Sequence, residues 1–281
     1  MDKSRILDTL FKILCCIITL FGMIPIIHML VTITLRGSRV IAKVGIVDFL
    51  TAPPPAPGSN ELGGIGTAIM GTIILLIISM IIGIPLSLIL AILVVEFKES
   101  LFAKITRYFV KTLIGIPTIA VSMLIYTLVV VPMGGASAIA GGIALAIVLL
   151  PYATTYIETC FESVPQEYKE AGYALGMKRL LIILKIILPI TRRCVVTSIV
   201  LSTARAIGET SPLLFTAGAA HYTYPTSLTD PVSSVTLLIF EYGLSPFKNL
   251  VDVAWGAALV LTLSYFLVLI AVRLGVKGVV L

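Results

Sequence analysis

An arginine and a glutamate four residues apart, Arg205 and Glu209, lie inside a stretch otherwise apolar enough to cross a bilayer. At a bilayer centre each would cost roughly 2.5–3.5 kcal/mol on insertion scales, so such residues normally face a bundle interior or a water-filled path. At i and i+4 they can pair, but Arg before Glu is the weaker order, which predicts a loose, exchangeable bridge. Gly208 and Pro212 flank Glu209–Ser211 and should interrupt the helix. Ser211-Pro212 then reads as the cap and first turn of a second half-helix, whose free amide N–H groups suit an anion. Arg205, Glu209, Thr210 and Ser211 are therefore the candidate residues of an anion pathway. The plainer alternative is a salt bridge that only sets helix rotation.

Other chemistry is sparse. The four cysteines, Cys15, Cys16, Cys160 and Cys194, have no metal-binding spacing and read as small buried thiols. His28 and His221 stand far apart without an HExxH context, so no metal site is expected. No Ser/His or paired-Asp arrangement for a hydrolase is visible. The chain lacks the GxxxxGK[ST] loop that cradles nucleotide phosphates, so it should bind no ATP itself.

The elements that position Arg205 and Glu209 follow from composition. The chain has 281 residues, 58% of them hydrophobic and only 12% charged, with a mean hydropathy of +1.11. Soluble domains carry about 25% charged residues, so the bilayer is the expected solvent. The net charge of +6 then reflects basic residues flanking spans rather than nucleic-acid binding. Spanning takes about 20 mostly apolar residues, and six stretches qualify: 13–35, 67–95, 109–131, 139–157, 195–220 and 254–272. The first is too long for a signal-peptide core and has no small-residue cleavage site, so it reads as a retained helix. The expectation is one all-α transmembrane domain over 1–281.

Lysine and arginine counts orient it. Fifteen fall at the termini and in the 96–111 and 158–193 loops, and four (Arg36, Arg39, Lys43, Lys248) fall opposite. Both termini and the 158–193 loop are thus expected in the cytoplasm, with Arg36–Lys43 starting an outer loop against the rule. The Pro53–Gly58 run in that loop reads as a stiff extended piece, and Gly63–Gly66 as a flexible entry to the second span. The apolar 233–240 segment is too short to span and reads as interfacial or re-entrant. Ser79, Gly83, Ser87 and Ala91 give the second span a small-residue face for close packing.

The 158–193 loop begins with Ser163-Val164-Pro165-Gln166, a capping-box pattern with Pro in the first turn. One helix from Pro165 to about Leu175 should end at Gly176 in a left-handed conformation. A second, 177–188, should end at Pro189. Two short helices hinged at a glycine make a knob, and Ala171, Gly172, Ala174 and Gly176 give it a small face.

Glu170, Ala171, Gly176, Ile186, Leu188 and Pro189 resemble the EAA loop of ABC importer permeases, with Gly172 in place of the second Ala. Arg205-Ala-Ile-Gly-Glu-Thr-Ser-Pro-Leu-Leu-Phe-Thr-Ala217 looks like the signature of phosphate ABC permeases of the PstA kind, and Asp48–Thr51 and Gly63–Gly66 also resemble that family. The resemblance implies a type I importer permease fold with six spans and cytoplasmic coupling helices. Glu170, Ala171, Gly172 and Gly176 would then couple to an ATPase. It also implies a second, PstC-like permease, a PstB-like ATPase dimer that binds the ATP and Mg, and a PstS-like external phosphate-binding protein. Permeases for sulfate or molybdate, and an ATP-independent anion channel, remain as alternatives.

Overall fold

The computed structural model describes residues 3–275, and no strand occurs among them. Helix α1 (Lys3–Val44) is 42 residues long, about 63 Å at 1.5 Å per residue and twice the depth of a bilayer core. The expected outer loop therefore does not begin at Arg36. Arg36, Arg39 and Lys43 continue the helix, which stops where Gly45 takes φ +92°. Basic side chains are good helix formers, and Arg36 has a partner, its guanidinium lying 5.0 Å from the Trp255 ring centroid.

A short α2 (Ile46–Thr51) buries Phe49 completely. The proline run after it is tied down at both ends. The Gly64, Ile65 and Gly66 amides donate to the Pro53, Phe49 and Ala52 carbonyls, and Asn249 donates to the Ala56 carbonyl at 2.9 Å. Helix α3 (Gly66–Glu96) follows.

The expected 109–131 span is bent. Helix α4 (Leu101–Gly115) ends at Ile116-Pro117, and α5 (Thr118–Ile125) leaves at a steep angle. A π-turn then leads into α6 (Val131–Met133). The two halves meet at 104°. Pro117 has no N–H to continue the helix and pushes Ile116 into extended backbone.

Helix α7 (Ala138–Glu162) forms the centre of the fold. Its main partner is α3, along the small-residue row: Ser79, Ser87 and Ala91 are fully buried, and the Ser87 hydroxyl reaches the Leu150 carbonyl at 3.1 Å. The close approach lets these helices bury their faces with little side-chain ordering.

Beyond α7, α8 (Gln166–Ala174) and α9 (Arg179–Ile182) form the loop. A π-turn joins α9 to α10 (Leu188–Ile207) without a break. Pro189 therefore does not end a loop helix. It sits inside this continuous helical run, directly after the π-turn, and the helix carries on past it. The apolar 233–240 stretch becomes the nine-residue α11 (Val235–Gly243), capped by the Ser234 hydroxyl, and packs on α12 (Lys248–Gly275).

Four described helices are long and apolar enough to span, and the bent α4–α6 segment would make a fifth. The sixth expected span, 195–220, is cut at Ile207 by Gly208 and the turn after it.

Two of the expected buried thiols are instead joined: Cys160 of α7 is disulfide-bonded to Cys194 of α10. Cys15 and Cys16 lie on the exposed face of α1.

Candidate functional site

Arg205 and Glu209 stand where α10 ends. The Gly208 and Glu209 amides turn back to the Arg205 and Ala206 carbonyls, tightening the last turn as helix ends commonly do. Pro212 lies inside a single 3₁₀ turn, Ser211–Leu213. The expected second half-helix is absent, because the chain continues through turns to Ala217. An anion here thus has no half-helix N-terminus to meet, and the charge falls to Arg205.

The broken backbone is held from two sides. The Ser122 hydroxyl of α5 donates to the Pro212 carbonyl at 3.0 Å and accepts from the Phe215 amide at 3.4 Å. The Thr236 hydroxyl of α11 donates to the Glu209 carbonyl at 2.9 Å. A backbone interruption at this depth is tolerated only where such partners satisfy it. Thr210 precedes the turn and Ser211 begins it, both half-buried.

The Arg205–Glu209 bridge is loose. Its closest N···O distance is 3.6 Å, with the side chains 45% and 15% exposed. The guanidinium also lies 3.9 Å from the Tyr152 ring centroid, a cation–π contact worth roughly 0.5–2 kcal/mol depending on desolvation. Both charges line a cavity of about 400 Å³ with Tyr156, Leu201, Ala204, Gly208 and Tyr265. A guanidinium that faces open space and is held only by a long bridge and an aromatic face can turn to an incoming oxyanion through a bidentate contact. Tyr152 was missed in the sequence, since an aromatic within an apolar run carries no sign of the cation it will meet.

The loop is a second site. Helix α8 closes with Gly176 at φ +73°. The Gly176 amide donates to the Tyr173 carbonyl and the Met177 amide to the Gly172 carbonyl, the paired bonds of a Schellman end. Its start departs from expectation. Pro165 is the N-cap, and no side chain caps the helix, because the Ser163 hydroxyl turns back to the Cys160 carbonyl at 2.7 Å.

Glu170, Ala171, Ala174 and Gly176 are exposed, but Gly172 is buried. A Cβ there would lie 2.9 Å from Ile186 Cδ1 and 3.0 Å from Ile182 Cγ1. Gly172 thus belongs to the face packed on the α9–α10 segment, not to the small outward face. The Ala of the EAA pattern at 172 would require Ile186 and Ile182 to shift.

Contacts invisible in the sequence tie this loop to the spans and two of the spans to each other. Lys169 Nζ lies 2.5 Å from Glu96 Oε1, with both side chains largely buried. Arg107 reaches Glu158 at 2.8 Å and Glu162 at 3.0 Å. Arg179 covers the Phe97 ring at 4.8 Å. The Lys169 and Glu96 partners are 73 residues apart, which leaves no local pattern to read.

One Ser/His array is formed by residues the sequence did not connect. His221 Nδ1 lies 2.6 Å from Ser233 Oγ, and its Nε2 lies 2.7 Å from Glu241 Oε2. Ser233 is 1% exposed, so no substrate can reach it, and the array is a brace between the outer turns and α11. Among the described residues no group of His, Cys, Asp or Glu is placed to hold a metal.

Residues 83–279 match the family described as binding-protein-dependent transport system inner membrane component. The chain is 36% identical to the probable phosphate transport system permease protein PstA of Methanocaldococcus jannaschii, over 96% of this chain and 94% of that one. It is 33% identical to the PstA of Yersinia pestis over 90% and 84%, and 29% identical to that of Xylella fastidiosa over 96% and 93%. The fold superposes on a chain of the MetNI methionine ABC transporter in an inward-facing conformation. The TM-score is 0.61, with 17% identity over 78% of this chain and 95% of that one.

Proposed function

The chain belongs to the family of binding-protein-dependent transport system inner membrane components, and on that premise we propose that it is the membrane permease subunit of an ATP-driven phosphate importer. The observation that carries this is the half-exposed Arg205, loosely held by Glu209 and Tyr152 at a cavity where α10 breaks. Similarity to several PstA proteins over most of the chain supports phosphate as the anion.

In this reading Arg205 attracts the phosphate and Glu209 neutralises Arg205 between passages. Tyr152 keeps the guanidinium in place while its partner changes. Thr210 and Ser211 stand next on the path. Both termini and the α8 loop face the cytoplasm. There α8 presents Glu170, Ala171, Ala174 and Gly176 to a partner ATPase that binds ATP and Mg. Movement of that partner reaches the spans through Lys169–Glu96. A second permease chain completes the path, and an external binding protein delivers phosphate.

The test is phosphate uptake and phosphate-stimulated ATP hydrolysis by the assembled complex in proteoliposomes. Anion flux without ATP would point to a channel, and stimulation by sulfate or molybdate in place of phosphate would reassign the anion.

A further inference from the structure

At the end of α10 nearest the loop, α10 and α12 leave a groove of about 500 Å³ between them. Val196, Thr197 and Val200 of α10 and Ala271 and Val272 of α12 form its walls, and Arg192 and Arg193 complete the lining. Among the described residues no carboxylate lines it. Among the described residues neither guanidinium has an ion-pair or hydrogen-bond partner. Arg273 follows Val272 in the last turn of α12 and adds a third positive charge at this level. Val196 is 58% exposed.

Three features of this groove act together. Two unpaired guanidinium groups at a membrane boundary favour a phosphate-bearing headgroup, and each basic residue near an anionic surface contributes about 1 kcal/mol. The valines at 196 and 200 share one helix face, and position 200 lies about 12 Å along the axis from position 192, which suits a hydrocarbon chain. A free oxyanion would gain nothing from those walls, and an uncharged lipid would leave both arginines unanswered.

We propose that this groove is a binding site for an anionic phospholipid, its phosphate on Arg192 and Arg193 and one acyl chain along Val196, Val200 and Val272. The site depends on the chain lying in a membrane and not on the transported anion, so either reading can fail alone.

The experiment is native mass spectrometry of the assembled, detergent-solubilised complex titrated with phosphatidylglycerol or phosphatidylcholine. Wild type should retain phosphatidylglycerol preferentially. R192Q/R193Q should lose that preference by about fivefold per charge removed, and R192K/R193K should keep most of it. Val196→Trp fills the groove with both arginines intact and should also lower retention. Equal retention of the two lipids by wild type, or no change in either R192Q/R193Q or Val196→Trp, overturns the proposal. So does displacement of phosphatidylglycerol by millimolar inorganic phosphate, which would mark a free-anion site. Efficient cross-linking of a cysteine at 196 to the second permease chain would make the groove a subunit interface and also overturn it.

Discussion

Two ion pairs of similar chemistry sit in this molecule under opposite conditions. Lys169–Glu96 joins residues 73 apart at 2.5 Å, with side chains only 13% and 7% exposed. Arg205–Glu209 joins neighbours on one helix at 3.6 Å, with the arginine 45% exposed and facing a cavity. A buried pair is costly to break because either charge left alone is stranded away from water. An exposed pair contributes little and can exchange partners. The first is suited to transmitting a displacement between the α8 loop and α3. The second is suited to letting go.

Substitutions can break this contrast, and the largest effect should fall on the buried pair. Lys169→Met strands Glu96 and should destabilise the protein by about 3–5 kcal/mol, seen as lost membrane abundance and a lower melting temperature. Adding Glu96→Leu should recover most of that stability. If the single change is silent, the two pairs do not differ as claimed.

The next effect is on transport rather than stability. Arg205→Gln should lower phosphate uptake at least tenfold, about 1.4 kcal/mol, at normal abundance. R205Q/E209Q should remain inactive, because the charge that meets the anion is still missing although none is left unpaired. Recovered uptake in the double variant would reduce the pair to scaffold.

The two loop glycines sharpen the same division between packed and free surfaces. Gly172→Val drives a branched side chain into Ile182 and Ile186 and should cost about 1–3 kcal/mol by overpacking. Gly176 has open space around it but φ +73°, so Gly176→Ala should cost only about 1–2 kcal/mol of backbone strain. Thermal unfolding of the two variants should rank them in that order.

The smallest effect is in the outer turns. The Thr226 hydroxyl and the Thr226 and Ser227 amides donate to the exposed Asp230 carboxylate and hold its pKa below the ordinary value. Its lowered pKa means the contribution is present above the ordinary aspartate range and lost as pH falls through the folded value. Proteolysis of the 224–231 turn should therefore increase at acidic pH in wild type, and Asp230→Asn should remove that pH dependence.

Much of this architecture was legible in residue order. The small-residue row of α3, the helix start at the Gly63–Gly66 segment, the left-handed Gly176 and the loose Arg205–Glu209 spacing each follow from local rules. The misreadings share a cause. Pro117, Pro189 and Pro212 are one residue type with three outcomes: a bend of 104°, a place inside an unbroken helical run and a lone 3₁₀ turn. Proline removes a donor and restricts its neighbour, but the fold decides whether the orphaned carbonyl meets another helix. At Pro212 the carbonyl three residues earlier, Glu209, meets the Thr236 hydroxyl, 27 residues away.

The sequence by itself determined that the chain is helical, belongs in a bilayer and places a charged pair where charge is expensive, because these depend on composition and on spacings within one or two turns. Only the tertiary structure decided that Gly172 faces inward, that Lys169 meets Glu96, that Tyr152 lies over Arg205, and that His221 braces Ser233 and Glu241. Each needs two segments distant in sequence to meet, and packing geometry rather than local propensity selects which faces meet.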